Sequence, residues 1–203
     1  MEIVDLAQTD QYDTLWSETI ELISLSKDKL RNNYLNLDPK SFLCFTALID
    51  KEKIICFSAL QSNSSRWGID IVRCSTRMWV HPDFRFSGLV RFTQGRKFLN
   101  SYYLIPEQLK KAKTLGYKCV FMSREENPSA FLQWSNLVNR NTGNRFINLL
   151  GRYNVCGDVY PIPESCKQYI SIDTSNHEAL EIWHDSMEKF KIKEDLTHVS
   201  MAY

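Results

Sequence analysis

The stretch that decides the fold is Val80-His81-Pro82-Asp83-Phe84-Arg85-Phe86-Ser87-Gly88-Leu89. It follows an apolar, strand-like run and precedes a stretch with helical spacing, so we expect it to join a strand to a helix N-terminus. Unpaired backbone N–H groups there, together with the helix dipole, favour an anion. Gly88 would let a phosphate approach the backbone closely. A plain strand-to-helix turn explains the same residues, so both interpretations are open at this point.

The elements around this stretch predict an α/β (α+β) fold. Strands are expected over residues 2–7, 42–49, 54–61, 69–80, 119–123, 148–155 and 169–172. Helices are expected from Thr9 or Asp10 to about residue 25, then over 27–35, 88–103, 106–115, 127–139 and beyond Ser175. Pro106 is expected to divide the long helical stretch in two, and Gly116 to end it in a left-handed conformation. The order predicts a mixed, mostly antiparallel sheet flanked by helices.

Length and charge describe an ordinary globular chain. Its 203 residues are 43% apolar and 24% charged, with a net charge of +1, so nothing global points to nucleic acid. No stretch approaches the roughly 20 apolar residues that span a bilayer. Residues 85–118 hold eight basic side chains and one acid, a local charge of +7. Either a solvated helix face or attraction to a polyanionic ligand would explain that segment.

The cysteines indicate neither zinc nor a disulfide scaffold. None of the six forms a Cys-x-x-Cys pair, and no histidine spacing suggests a metal site. Cys44, Cys56, Cys74 and Cys119 lie in apolar runs, where a free thiol packs as a small hydrophobe. The sequence therefore predicts a reducing compartment, the cytoplasm, and no metal.

The stretch resembles the phosphate-binding loop of the GCN5-related N-acetyltransferase (GNAT) superfamily, whose signature is Val-x-Pro-x-x-Arg/Gln-x-x-Gly-x-Gly/Ala. Val80, Pro82, Arg85 and Gly88 fit that pattern. Further along, Gly116-Tyr117, an apolar strand and Asn127-Pro128-Ser129-Ala130 follow in the family's order. The likeness covers residues 1–172. It implies a GNAT-like acyl-CoA-binding domain there, with a C-terminal helical extension over 173–203.

The resemblance implies a set of residues that would hold acetyl-CoA or another acyl-CoA. Main-chain N–H groups of the loop would cradle the pyrophosphate, and a strand amide would polarise the thioester carbonyl. The implied cofactor-binding residues are Val80, Arg85, Phe86, Ser87, Gly88, Leu89, Val90, Arg91 and Asn127. Asn127 before Pro128 is also explained as a helix cap alone.

Three departures bear on catalysis. Val90 stands where the family prefers Gly or Ala, and Cys74 where many members carry a glutamate base. Trp134 replaces the family's tyrosine acid, and an indole N–H donates a hydrogen bond but no proton. The candidate catalytic residues are Asp70, Cys74, His81 and Trp134, each with a structural alternative: solvated strand end, core thiol, loop histidine and helix aromatic.

The implied activity is direct acyl transfer from acyl-CoA to an amine of a small molecule or peptide. Two alternatives stay open: a non-catalytic protein of the same fold that binds CoA or a protein partner, and an aminoacyl-tRNA-dependent transferase. Leu180, Trp183, Met187 and Phe190 share one helical stripe, which either the same domain or a second subunit of a homodimer would cover.

Overall fold

The computed structural model describes residues 1–27, 31–62, 71–84, 99–117, 119–123, 147–150, 169–174 and 181. Its strands are β1 (Glu2–Asp5), β2 (Cys44–Asp50), β3 (Lys53–Ser62), β4 (Ile71–Val80), β5 (Cys119–Ser123), β6 (Ile147–Leu150) and β7 (Tyr169–Asp173). Its helices are α1 (Asp13–Leu25), a π-helical turn (Asn100–Leu104) and α2 (Ile105–Thr114). Short 3₁₀ turns lie at Arg31–Asn33, Pro39–Ser41 and Pro82–Phe84.

The chain forms two compact units. The first comprises Met1–Ser62 with Cys74–Lys111, and the second comprises Asn63–Arg73 with Ala112–Tyr203. Strand β4 therefore contributes residues to both. Of the predicted extension over 173–203, only residues 173, 174 and 181 are described, so the boundary at residue 173 stays a prediction.

The sheet of the first unit follows the order β1-β2-β3-β4 and contains the predicted antiparallel meander. Strand β1 pairs antiparallel with β2, and β2 with β3, where Cys44 lies opposite Leu60. Lys51 and Glu52 connect β2 to β3 with φ angles of 46° and 59°. Two consecutive left-handed residues define a type I′ hairpin turn, whose twist matches that of the flanking strands.

Apolar side chains cover both faces of this sheet, because alternate residues of a strand point to opposite sides. On one face, Phe45 and Phe57 are fully buried beneath α1, and Trp16 contacts both rings edge-on at 5.1 and 5.2 Å. On the other face, Leu48 packs with Leu99 and other residues of the helical segment 99–114. The loss of either helix would expose a core layer.

The predicted helix break at Pro106 is wrong. Residues 99–114 are helical throughout, and the π-helical turn ends at Leu104, two residues before the proline. There the N–H of Ile105 donates to the carbonyl of Asn100, five residues back. The widened turn accommodates the proline ring, which in a regular α-helix would clash with the preceding turn. The prediction of a left-handed Gly116 after α2 is confirmed, with φ of 83°.

The sheet of the second unit follows the order β4-β5-β7-β6. The first residues of β4 pair parallel with β5, with Ile71 opposite Cys119. Strand β7 pairs antiparallel with both β5 and β6. Among the strand pairings that the structure describes, only β4–β5 is parallel, which confirms the prediction of a mixed, mostly antiparallel sheet. The crossover connection between β4 and β5 contains the helical segment 99–114.

Candidate functional site

The structure describes the entrance to the predicted phosphate loop. Val80 is buried at the end of β4, and a 3₁₀ turn at Pro82–Phe84 follows. The rest of the predicted cofactor-binding set lies outside the described residues: Arg85, Phe86, Ser87, Gly88, Leu89, Val90, Arg91 and Asn127. The catalytic candidates Asp70 and Trp134 also lie outside them. The roles of all these residues stay predictions.

His81 is held firmly at the end of β4. Its side chain is only 12% exposed, and its ring lies edge-on to Trp79 at 5.8 Å and to Phe84 at 5.7 Å. Its N–H donates to the carbonyl of Ile55 on β3. The N–H of Asp83 donates to His81 Nδ1 at 3.2 Å, so a neutral ring carries its proton on Nε2. In that state His81 is a hydrogen-bond donor through Nε2.

Cys74, which stands where the resemblance implies a glutamate, is 1% exposed in β4 and forms no disulfide. Cys44 and Cys56 are likewise free and buried. Burial raises the pKa of the Cys56 thiol, and burial followed by the charge of Asp5 raises the pKa of the Cys44 thiol. A thiol with a raised pKa is a poor nucleophile near neutral pH, so Cys44 and Cys56 are core residues.

Strand β4 is distorted immediately after Cys74. Ser75 and Arg77 have φ angles of 57° and 54°, in the left-handed region that L-residues avoid. Non-glycine residues in this region cost roughly 1–3 kcal/mol each and persist only where surrounding contacts fix them. This distortion could not be predicted from residue types, because neither position is a glycine or an asparagine.

A buried polar layer fixes the first of these residues from the helical segment 99–114. Gln108 Oε1 accepts the N–H of Ser75 at 2.8 Å. Asn100 Nδ2 donates to the hydroxyl of Ser75 at 2.6 Å. Gln108 is fully buried and Asn100 is 2% exposed. Two amide side chains of one helical face therefore bind the N–H and the hydroxyl of Ser75.

The same amides reach the two neighbouring strands. Gln108 Nε2 donates to the hydroxyl of Thr46 on β2 at 2.7 Å and to that of Ser58 on β3 at 2.8 Å. The Thr46 hydroxyl donates in turn to the carbonyl of Ser58, and the Ser58 hydroxyl donates to Asn100. Every donor of Gln108 thus meets an acceptor, as a buried amide requires. The sequence does contain one signal for this layer: Asn100 and Gln108 are two amide residues, eight positions apart, on an otherwise apolar helical face.

The other face of β4 is held by Tyr34. Its hydroxyl donates to the carbonyl of Met78 at 3.0 Å. Tyr34 is 6% exposed, and its ring lies edge-on to Phe57 at 5.9 Å, which fixes the ring. Side chains from both faces of the sheet therefore bind the backbone of β4 at residues 75 and 78.

Within the part of the chain that the structure describes, no group of three His, Cys, Asp or Glu side chains could hold a metal ion. Among the same residues, no helix is long and apolar enough to cross a membrane.

Solved structures share the fold at low sequence identity. The CoA-dependent acyl-homoserine lactone synthase BjaI matches with a TM-score of 0.51 and 12% identity, over 92% of this chain and 88% of that chain. A GNAT-family acetyltransferase from Staphylococcus aureus Mu50 matches with a TM-score of 0.46 and 13% identity, over 85% and 98%. An N-acetyltransferase from the same organism matches with a TM-score of 0.47 and 16% identity, over 86% and 98%.

At these identities the likeness concerns the fold alone. No protein-family model matches the chain. No curated protein matches its sequence. The fold predicted from the sequence is confirmed: the chain has an α/β fold with a mixed, mostly antiparallel sheet, which it shares with BjaI.

Proposed function

We propose that this protein transfers an acetyl or other acyl group from acyl-CoA to an amine of a small molecule or peptide. The observation that carries the proposal is a β4 strand, distorted at residues 75–77, that leads directly into the Val80-to-Leu89 loop sequence on a GNAT-like fold. Distortion interrupts the regular hydrogen bonding of a strand, as the bond from the Ser75 N–H to Gln108 illustrates. The loop sequence that follows suits a pyrophosphate.

The chemistry is a direct transfer. The amine nitrogen forms a bond to the acyl carbon, the carbon–sulfur bond breaks, and the CoA thiolate leaves. The amine must lose a proton, and the thiolate gains one. A strand amide directed at the carbonyl oxygen would stabilise the negative charge that develops there. Holding the amine against the thioester supplies the remaining rate enhancement.

Proton transfer has three candidate acceptors: Asp70, Cys74 and His81. Burial of Cys74 leaves little access for an amine, which favours the other two. Neutral His81 carries its proton on Nε2, so it would accept a proton only at Nδ1, after releasing the N–H of Asp83. A water relay is the simplest route from the amine. Trp134 could orient the departing sulfur by a hydrogen bond, and solvent would protonate it.

The experiment measures thermal stabilisation of the protein by acetyl-CoA and by CoA. A ligand at one hundred times its Kd stabilises the folded state by about 2.7 kcal/mol, which is readily detected. Gly88→Asp places a carboxylate in the loop and should abolish the shift. Leu115→Asp adds the same charge at an exposed position after α2 and should leave the shift intact. The absence of any shift at millimolar ligand would refute cofactor binding.

Thiol release across a panel of amines separates an enzyme from a binding protein. The panel contains small amines, peptides with free N-termini and S-adenosylmethionine, since BjaI was solved with SAM and isopentyl-CoA. Release of CoA with one amine identifies the acceptor class. Binding without release would favour the non-catalytic alternative, which Val90, Cys74 and Trp134 motivate. RNA binding that weakens steeply with salt would favour the aminoacyl-tRNA alternative.

A further inference from the structure

We propose that Gln108 and Tyr34 are positioning residues for the backbone amide that contacts the acyl carbonyl of the bound thioester. The inference rests on the proposed function. It concerns the part of β4 that lies between the two side-chain contacts, from the N–H of Ser75 to the carbonyl of Met78.

Gln108 fixes the start of this segment. Its Oε1 accepts the Ser75 N–H at 2.8 Å, so that N–H points at the helical segment 99–114. Gln108 cannot swing away, because its own N–H groups are bound to the hydroxyls of Thr46 and Ser58. A left-handed Ser75 is therefore the conformation that satisfies this buried amide.

Tyr34 fixes the end of the segment from the opposite face. Its hydroxyl binds the Met78 carbonyl at 3.0 Å, which sets the plane of the peptide that joins Met78 to Trp79. The ring of Tyr34 lies against Phe57, and Phe57 is stacked on Trp79 at 5.4 Å. The contact is thus supported by the aromatic core beneath α1.

The N–H groups of residues 76–78 lie between the two fixed points. Each of these N–H groups is at most two residues from the bound Ser75 N–H or the bound Met78 carbonyl. Because peptide groups are planar, only the φ and ψ angles of the intervening residues can change the direction of these N–H groups. Arg77, the second left-handed residue, lies in this interval and is exposed. The two contacts therefore determine where these amides point.

A comparison of acetyl-CoA binding with CoA binding measures the contribution of this amide. The two ligands share the nucleotide, the pyrophosphate and the pantetheine arm, but only acetyl-CoA has the carbonyl. Misdirection of the strand amide should weaken acetyl-CoA binding and leave CoA binding unchanged. Loss of one hydrogen bond predicts a change of about threefold to tenfold in the ratio of the two dissociation constants.

The test is calorimetric titration of both ligands into wild type, Gln108→Met and Tyr34→Phe. Two control variants remove a hydrogen bond elsewhere: Thr19→Val deletes a buried bond within α1, and Tyr12→Phe deletes an exposed bond to Glu2. We expect the two test variants to lower the acetyl-CoA preference, while both controls retain it. Folding of each variant is verified by near-ultraviolet circular dichroism.

A third variant, Gln108→Glu, separates loss of stability from loss of the hydrogen-bond acceptor for the Ser75 N–H. A protonated carboxyl keeps an oxygen acceptor for the Ser75 N–H but can donate to only one hydroxyl. We expect Gln108→Glu to be less stable than wild type and yet to retain its acetyl-CoA preference. If Gln108 had a purely structural role, the less stable Gln108→Glu variant would also lose its preference for acetyl-CoA over CoA.

The outcomes separate this inference from the proposed function. If wild type binds both ligands and the test variants weaken both equally, or neither, the positioning role is wrong and cofactor binding stands. If wild type binds neither ligand, the proposed function fails and this inference fails with it. A selective loss of acetyl-CoA affinity in Gln108→Met and Tyr34→Phe supports both.

Discussion

Replacement of Gln108 by methionine tests whether the buried polar layer stabilises the fold. Methionine is close to glutamine in length but makes none of its three hydrogen bonds. The partly buried Ser75 N–H would lose its acceptor, at a cost of about 1–3 kcal/mol. Loss of the two bonds to Thr46 and Ser58 adds about 0.5–1.5 kcal/mol each, partly offset by burial of the thioether.

The expected loss of unfolding free energy is therefore about 2–4 kcal/mol, a large part of the roughly 5–15 kcal/mol that stabilises a typical domain. Urea denaturation followed by circular dichroism measures it as a lower midpoint with an unchanged m-value. For a chain of this size, the thermal midpoint should fall by about 5–15 °C.

A double-mutant cycle shows whether the effect comes from the layer itself. Gln108→Met and Thr46→Val remove the two ends of one hydrogen bond, so we expect a coupling energy of about 0.5–1.5 kcal/mol. Gln108→Met combined with Thr19→Val should be additive within about 0.5 kcal/mol, because the two side chains share no partner. A destabilisation below about 0.5 kcal/mol, or additivity with Thr46→Val, would refute this reasoning.

Three further predictions concern the same unit. Glu52→Gly should raise the free energy of unfolding by about 0.5–1 kcal/mol, because glycine adopts the left-handed conformation of this turn residue without strain. As a control, Glu18→Gly within α1 should lower the free energy of unfolding by about 1 kcal/mol, and chemical denaturation measures both variants. Asp5→Ala should lower it by about 2–3 kcal/mol, since Oδ1 accepts the N–H of Phe45 at 2.8 Å, and Asp5→Asn should recover most of the loss in the same assay. Burial raises the pKa of Cys56 in the folded state, so as the pH rises the thiol ionises in the unfolded state before it does so in the folded state. Above about pH 8.5 the folded state therefore holds more protons than the unfolded state, and the free energy of unfolding falls by up to about 1.4 kcal/mol per pH unit. Cys56→Ala should reduce that slope in urea titrations from pH 8 to about 10 and leave the contribution of Cys44, whose pKa is also raised; an unchanged slope would contradict the assignment.

Periodicity and turn chemistry predicted most of the fold. The meander follows from alternating apolar runs separated by a polar turn, and Gly116 follows from the need for a left-handed residue after α2. Pro106 misled the prediction because a proline normally ends a helix, and the π-helical turn that accommodates it has no signature in local sequence.

The candidate site was only partly predictable. The end of β4 and His81 were found from the loop motif, because strand-to-helix turns are short and local. The left-handed Ser75 and Arg77 were missed because side chains distant in sequence fix the strand: Gln108 acts across 33 residues and Tyr34 binds Met78 across 44. Such a tertiary constraint leaves no local pattern.

The most direct test of the central claim is calorimetric titration of acetyl-CoA into wild type and Gly88→Asp. We expect saturable binding of one equivalent to wild type and loss of that binding in Gly88→Asp, whose circular dichroism spectrum should match that of wild type. Absence of binding to wild type at millimolar acetyl-CoA would contradict acyl-CoA binding by this protein, and undiminished binding to Gly88→Asp would contradict the assignment of the site to the loop.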